Sequence, residues 1–135
     1  MIRKATTQDI PGVVDFGARF HAQSQQPFPY DTEAVAEFVG NIIKSPVGAI
    51  FLSETGMIGG VLTPAYCAPD WLMAVELFWW AEKGGVKLLK AFEVWAEDMG
   101  ANEVRMTSLA SLERADGLLK RLDYAPTEIS YRKLV

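Results

Sequence analysis

Leu72-Met73-Ala74-Val75-Glu76-Leu77-Phe78-Trp79-Trp80-Ala81-Glu82-Lys83-Gly84-Gly85-Val86 is the stretch whose reading decides the fold. From Leu72 to Ala81 the run is apolar and rich in aromatics, interrupted by one carboxylate, Glu76, and it reads as a strand buried on both faces. Two glycines follow Glu82-Lys83, and a helical period then begins. Val86, Leu89, Phe92, Trp95, Ala96 and Met99 fall on one face, and Lys87, Lys90, Glu93, Glu97 and Asp98 on the other. Gly100 ends that helix, and Glu103–Ser108 reads as a second strand. A buried strand, a glycine turn, a helix and a strand make a βαβ unit. The turn at the helix N-terminus, with unpaired N–H groups and the positive end of the dipole, suits phosphate.

The flanking sequence supplies the other elements. Ile2–Ala5 reads as a first strand, and Thr7 as the cap of a helix over Asp9–Ala22 with Pro11 in its first turn. Gln23–Tyr30 reads as a loop. Asp31 or Thr32 caps a second helix that fades by Ser45-Pro46. Gly48–Ser53 and Met57–Thr63 form a hairpin across Glu54-Thr55-Gly56. Pro64–Pro69 reads as a loop, Ser111 as the cap of a last helix carrying Leu118, Leu119 and Leu122, and Glu128–Leu134 as a closing strand. The order β-α-α-β-β-β-α-β-α-β predicts one domain over residues 1–135, an α/β (α+β) fold with helices on both faces of a mixed sheet.

Composition narrows the partners. The chain has 135 residues, half of them hydrophobic and 22% charged, with a net charge of −4. Acidity without a basic cluster argues against a nucleic-acid partner. No apolar run reaches the ~18 residues of a membrane span. Cys67 and His21 are the only residues of their kinds, so neither an internal disulfide nor a standard zinc site is expected. The start of the chain does not lead into an apolar signal core, and the expected location is cytoplasmic.

The element order, with the opening Ile2–Ile10, the core Glu76–Gly100 and the tail Ala115–Tyr124 followed by Pro126 and Tyr131, resembles the GNAT superfamily of N-acetyltransferases over nearly the whole chain. Within it the Glu-Leu-aromatic-Trp strand and the Leu-Leu-Lys-Ala-Phe-Glu-x-Trp-Ala helix resemble short phage and prophage members. The resemblance implies a mostly antiparallel sheet with a parallel, splayed central pair. It implies acetyl-CoA as cosubstrate and an amine acceptor, small molecule or protein. Glu76 takes the place of the base that deprotonates the amine. Backbone groups of Phe78, Trp79 and Trp80 take the place of those that pair with the pantetheine arm, and Lys83, Gly84, Gly85 and Val86 of the pyrophosphate turn.

Two departures from the family pattern stand out. The turn is several residues short of the usual Arg/Gln-x-x-Gly-x-Gly/Ala loop, and Leu119 stands where many members carry a tyrosine acid. These departures favour an alternative, a GNAT-fold structural or interaction protein, of phage origin, that no longer catalyses. The residues by themselves also allow bland readings. Glu76 can pair with Arg3, Lys4 or Arg105, the glycines can form an ordinary tight turn, and the aromatics can be core. Among the loop residues, His21 is a candidate second base and Tyr66 a replacement acid. Four tryptophans are compatible with a homodimer.

Overall fold

The computed structural model describes residues 1–135. Five strands form one sheet in the order β1-β2-β3-β4-β5, with β1 (Arg3–Lys4), β2 (Gly48–Ser53), β3 (Gly56–Ala65), β4 (Ala68–Ala81) and β5 (Glu103–Arg105). The first four are antiparallel in succession, whereas β5 lies parallel to β4. The helices are α1 (Ile10–Ser24), α2 (Thr32–Lys44), α3 (Gly85–Asp98) and α4 (Glu113–Arg121), with a short 3-10 turn over Thr7–Asp9. No helix is long and apolar enough to cross a membrane.

Two apolar layers sandwich the sheet. On one face, Leu88, Leu89, Phe92, Trp95 and Ala96 of α3 and Leu119 of α4 pack on Ala49, Ile58, Leu62 and Ala74. On the other, Val13 of α1 and Val39 and Ile42 of α2 pack on Ile50, Leu52, Met57 and Trp80. Ala49 and Ile50 alternate between the layers, as the pleat of a strand dictates.

Strand β4 breaks that alternation once. Gly60 pairs with Glu76 but Gly59 pairs with Phe78, so Leu77 is an extra residue in a β-bulge. Its effect is a change of phase. Ala74 and Trp79 face the α3 layer although they are five positions apart, and Phe78 and Trp80 face the α1–α2 layer. The facing strand makes room with glycine. A Cβ on Gly59 would lie 2.4 Å from the Phe78 ring, and one on Gly60 would lie 2.3 Å from the Val75 carbonyl oxygen and 2.6 Å from Phe92.

Several sequence expectations need correction. Glu128–Leu134 is not a strand. It is exposed and its backbone makes no hydrogen bond to the rest of the chain; side-chain bonds from Arg105 to Glu128 and from Arg132 to Gln26 hold it. Alternation of Ile129 and Tyr131 is not enough where no apolar layer receives them. Pro64–Pro69 is not a free loop, because β3 and β4 continue through it and turn at Tyr66-Cys67, with a ladder irregularity at Pro64/Ala65. β5 ends at Arg105 rather than Ser108. The first cap is Thr6, not Thr7, in a reciprocal box with Asp9. Ser111 does not cap α4; its hydroxyl donates to the Ser24 carbonyl, 3.0 Å away. Asp31 does cap α2, accepting from the Ala34 N–H at 3.0 Å.

The glycine backing of the bulge yields a stability prediction. Gly60→Ala places a methyl against backbone and the buried Phe92 ring, neither of which can swing away. The substitution is expected to destabilise by about 1–3 kcal/mol, the usual range for overpacking a core. Urea denaturation of the variant against the wild type measures it.

Candidate active site

The site begins where β4 and β5 part. Their ladder has three rungs, Met73–Glu103, Ala74–Val104 and Val75–Arg105, and stops there. The next residue of β4 is Glu76, and its carboxylate fills the opening. Oε1 accepts from the Thr107 N–H at 2.9 Å and from the Thr107 hydroxyl at 2.8 Å. A backbone N–H that would otherwise look for a strand carbonyl is thus satisfied by a side chain.

Glu76 is only 5% exposed, yet it makes no ion pair. The cations named as its alternatives are otherwise placed: Arg3 forms a fork with Asp9, and Arg105 binds Glu103 and Glu128, while Lys4 makes no ion pair. Burial pushes the Glu76 carboxyl above the ordinary carboxylate range, and the two Thr107 hydrogen bonds partly oppose it. Oε2 carries no hydrogen bond within the protein. No buried side-chain oxygen or nitrogen is both sealed from solvent and unpaired, so Oε2 is not fully sealed from solvent. One oxygen is fixed and the other is available.

Beyond Glu76, Leu77 is 41% exposed in the middle of a central strand, because β5 no longer flanks it. Phe78 and Trp80 are turned into the α1–α2 layer and Trp79 into the α3 layer, so their side chains are packing groups. What they leave toward the parted edge is backbone. The Trp79 indole N–H donates to the Gly85 carbonyl at 3.0 Å, seating the first residue of α3 against the end of β4.

The turn that follows is tied at several points. The Glu82 N–H bonds the Thr55 carbonyl at 2.9 Å, and the Thr55 hydroxyl donates to the Lys83 carbonyl at 3.1 Å. Arg19 of α1 pairs with Glu82, its guanidinium lying 5.3 Å from the centres of the Phe16 and Trp80 rings. The N–H groups of Lys83 and Gly84 have no partner in the chain. Those of Gly85 and Val86, in the first turn of α3, have no intrahelical acceptor. Gly84 has φ +76°, and a Cβ there would meet nothing within 4 Å, whereas Gly85 lies against the Trp79 ring. The turn is open on the Gly84 side and walled by indole on the other. Its donors and Lys83 suit an anion.

The remaining candidates lie apart from Glu76 or are engaged. His21 Nε2 is 2.7 Å from the Phe28 carbonyl oxygen, and its ring packs beside Phe28 and Tyr30. Tyr66 and Cys67 are exposed at the tip of the β3–β4 hairpin, eight residues up β4 from Ala68 to Glu76, or about 25 Å of extended strand. Leu119 is core. Tyr124 donates to Glu93 at 2.7 Å, and burial and that carboxylate drive its pKa upward. A cleft of about 570 Å³ between Arg3, Gly12, Phe16 and Glu54 and another of about 420 Å³ around His21, Tyr30 and Phe38 do not include Glu76. Sequence reasoning missed Thr107. The available signal was Glu76 itself, since a carboxylate in an apolar strand requires donors.

No protein-family model and no curated protein sequence matches the chain. Solved structures do match it over its whole length. A predicted acetyltransferase from Clostridium acetobutylicum, solved with acetyl-CoA, aligns with TM-score 0.79 at 11% identity, over 100% of this chain and 95% of that one. A tetramutant of the BH1408 protein from Bacillus halodurans gives TM-score 0.83 at 13% identity, covering 100% and 99%. An aminoglycoside acetyltransferase from an uncultured soil metagenomic sample, in complex with trehalose, gives 0.72 at 15%, covering 100% and 95%. The chain shares the fold of these structures, the GNAT fold, with the mostly antiparallel sheet and parallel β4–β5 pair that the family resemblance implied.

The buried, unpaired state of Glu76 has a measurable consequence for stability. Its folded pKa lies above the unfolded value, so its contribution is full below the unfolded pKa and is lost as pH rises through the folded one. Glu76→Gln keeps an oxygen acceptor for Thr107 and carries no charge to bury. Its melting temperature is expected to equal or exceed that of the wild type at pH 8, with the advantage vanishing near pH 4. Scanning calorimetry at both pH values tests this, and a sharp loss at pH 8 would make ionised Glu76 a structural anchor instead.

Proposed function

We propose that the protein is an acetyl-CoA-dependent N-acetyltransferase acting on a primary amine, with Glu76 as general base. The observation that carries the reading is the placement of a buried carboxylate in the parting of β4 and β5, one oxygen held and the other open. The fold supports it, since neighbours of low sequence identity are named as acetyltransferases and one was solved with acetyl-CoA.

Acetyl-CoA, when bound, supplies the activated acyl carbon. The residues present fit it. Lys83, Gly84, Gly85 and Val86 would hold its diphosphate through N–H groups that lack partners, and the backbone of Phe78, Trp79 and Trp80 along the parted edge of β4 would hold its pantetheine arm. N–H groups of that same segment are the donors available to negative charge on the acyl oxygen. An alkylammonium has no lone pair with which to attack, so Oε2 of Glu76 takes its proton. Leu119 offers no acid, and the departing thiolate takes its proton from solvent.

A second reading rests on that last point. With Leu119 in the core and Tyr124 committed to Glu93, a GNAT fold retained for structure or interaction, of phage origin, has a specific feature in its favour. Catalysis and coenzyme binding separate the two readings.

Two measurements follow. The three-residue turn offers fewer donors than a full diphosphate loop, and each charge-assisted hydrogen bond lost weakens binding by about one to two decades. Calorimetric titration with acetyl-CoA should therefore give a dissociation constant that is micromolar or weaker. No heat and no thermal shift at millimolar acetyl-CoA would favour the structural reading. With thiol release followed across a panel of polyamines, aminoglycosides and N-terminal peptides, Glu76→Gln should lower kcat about 100-fold or more. Its acetyl-CoA affinity should be unchanged, and the deficit should shrink at high pH as the amine deprotonates unaided.

A further inference from the structure

We propose that Thr107 is a positioning residue that decides which oxygen of Glu76 exchanges the proton. Both its donors, backbone N–H and side-chain hydroxyl, converge on Oε1 and leave Oε2 as the reactive oxygen. The inference rests on the reading of Glu76 as base and adds a second residue to it, contributed by the segment that follows β5.

A backbone N–H can only donate, so the oxygen it faces must be an acceptor in every protonation state. At 2.9 Å from the Thr107 N–H, Oε1 satisfies that requirement as a carboxylate oxygen and equally as the carbonyl oxygen of the neutral acid. The hydroxyl at 2.8 Å adds a second donor to the same atom. With two hydrogen bonds Oε1 is the less basic oxygen, and the proton goes to Oε2. In the transfer an N–H bond of the ammonium breaks, its electron pair stays on nitrogen as the attacking lone pair, and an O–H bond forms at Oε2. Neither Thr107 hydrogen bond has to break or reverse, so the site needs no rearrangement between its two states.

Other titrating groups do not intrude. On β5, Glu103 and Arg105 are bound to each other, and Arg105 also to Glu128 of the tail. On α3, Glu93 is bound by Tyr124. On β3, the residues opposite are Gly59, Gly60 and Val61, which carry no charge. Burial and Thr107 are the influences that act on Glu76.

The test compares Thr107→Val, which keeps the shape and the backbone N–H but removes the hydroxyl, with Thr107→Ser, which keeps the hydroxyl. Carbon-13 NMR of the Glu76 carboxyl in the ligand-free protein gives the titration midpoint without reference to activity. In Thr107→Val the midpoint should rise by about one to two pH units, the loss expected for one hydrogen bond to a charged group. The acid limb of kcat/KM should move with it while KM for acetyl-CoA stays put, and Thr107→Ser should bring both back toward wild type. An unmoved midpoint and acid limb in a folded Thr107→Val protein would overturn the proposal. If Thr107→Val does not fold, a Thr107→Ser midpoint displaced as far as one unit would overturn it, since the hydroxyl is still present. Full turnover in Glu76→Gln would overturn the base reading instead, and the NMR midpoint would then report separately whether Thr107 pins the carboxylate.

Discussion

Between Gly60 and Gly59 the β3–β4 ladder slips by one residue, and the rest of the molecule is arranged around that slip. A strand with period two carries each side chain to a fixed face, so an inserted residue exchanges the faces for everything downstream. Without the extra Leu77, Phe78 and Trp80 would enter the α3 layer, which Phe92 and Trp95 already fill, and Trp79 could not reach the first turn of α3. The slip is possible because β3 offers two consecutive residues with no Cβ, at positions where one would collide with the Phe78 ring and the Val75 carbonyl. The same irregularity lies where β5 turns away, and the parted edge and the buried carboxylate sit side by side in sequence and in space.

A carboxylate in such a place is normally neutralised by a cation, and here it is not. Asp9, Glu82, Glu103 and Asp116 all have basic partners, but those pairs lie at the solvent-accessible surface, where water screens them. Their value is geometric. Arg19–Glu82 ties α1 to the turn before α3, and Arg105–Glu128 holds a tail that has no ladder of its own. Glu76 instead has two neutral donors from one residue, which stabilise its charge less than a guanidinium would. Burial raises the Glu76 pKa, and the two Thr107 hydrogen bonds oppose that rise only in part.

The sequence was legible where period and punctuation agreed. The apolar run of β4, the Gly84-Gly85 junction and most of the α3 stripe agree with the structure, although Met99 is exposed and Leu88 is buried; of the two caps expected for α2, Asp31 is the one used. It was silent on the bulge because the run is apolar on both faces, so a phase change leaves no mark in the pattern; Gly59-Gly60 in the facing strand was the trace. It misled at Glu128–Leu134, where alternation exists without a layer to pack on, and at Pro64–Pro69, where prolines tolerated at an irregular, exposed hairpin end look like a loop. The Glu76–Thr107 contact joins residues 31 positions apart, and nothing local in either segment encodes it.

For the chemistry proposed, the leucine at 119 and the carboxylate at 76 do not weigh equally. An alkylamine has a pKa near 10.4 in model compounds, so at neutral pH only about one molecule in a few thousand carries a free lone pair. A thiol titrates near 8.5, and its conjugate thiolate is a stable enough leaving group to depart before a proton arrives. Removing the base therefore leaves only that small free-amine fraction to react, whereas the thiolate can depart without an acid. A chain under little demand for speed can let solvent replace the acid and fill position 119 with a core leucine that knits α4 to α3. It cannot give up the base on the same terms. Retention of a buried carboxylate, at the energetic cost its burial implies, is hard to account for in a purely structural protein, because a well-packed apolar residue there would be at least as stable. This balance supports the proposed role of Glu76 in taking a proton from an amine over the structural reading.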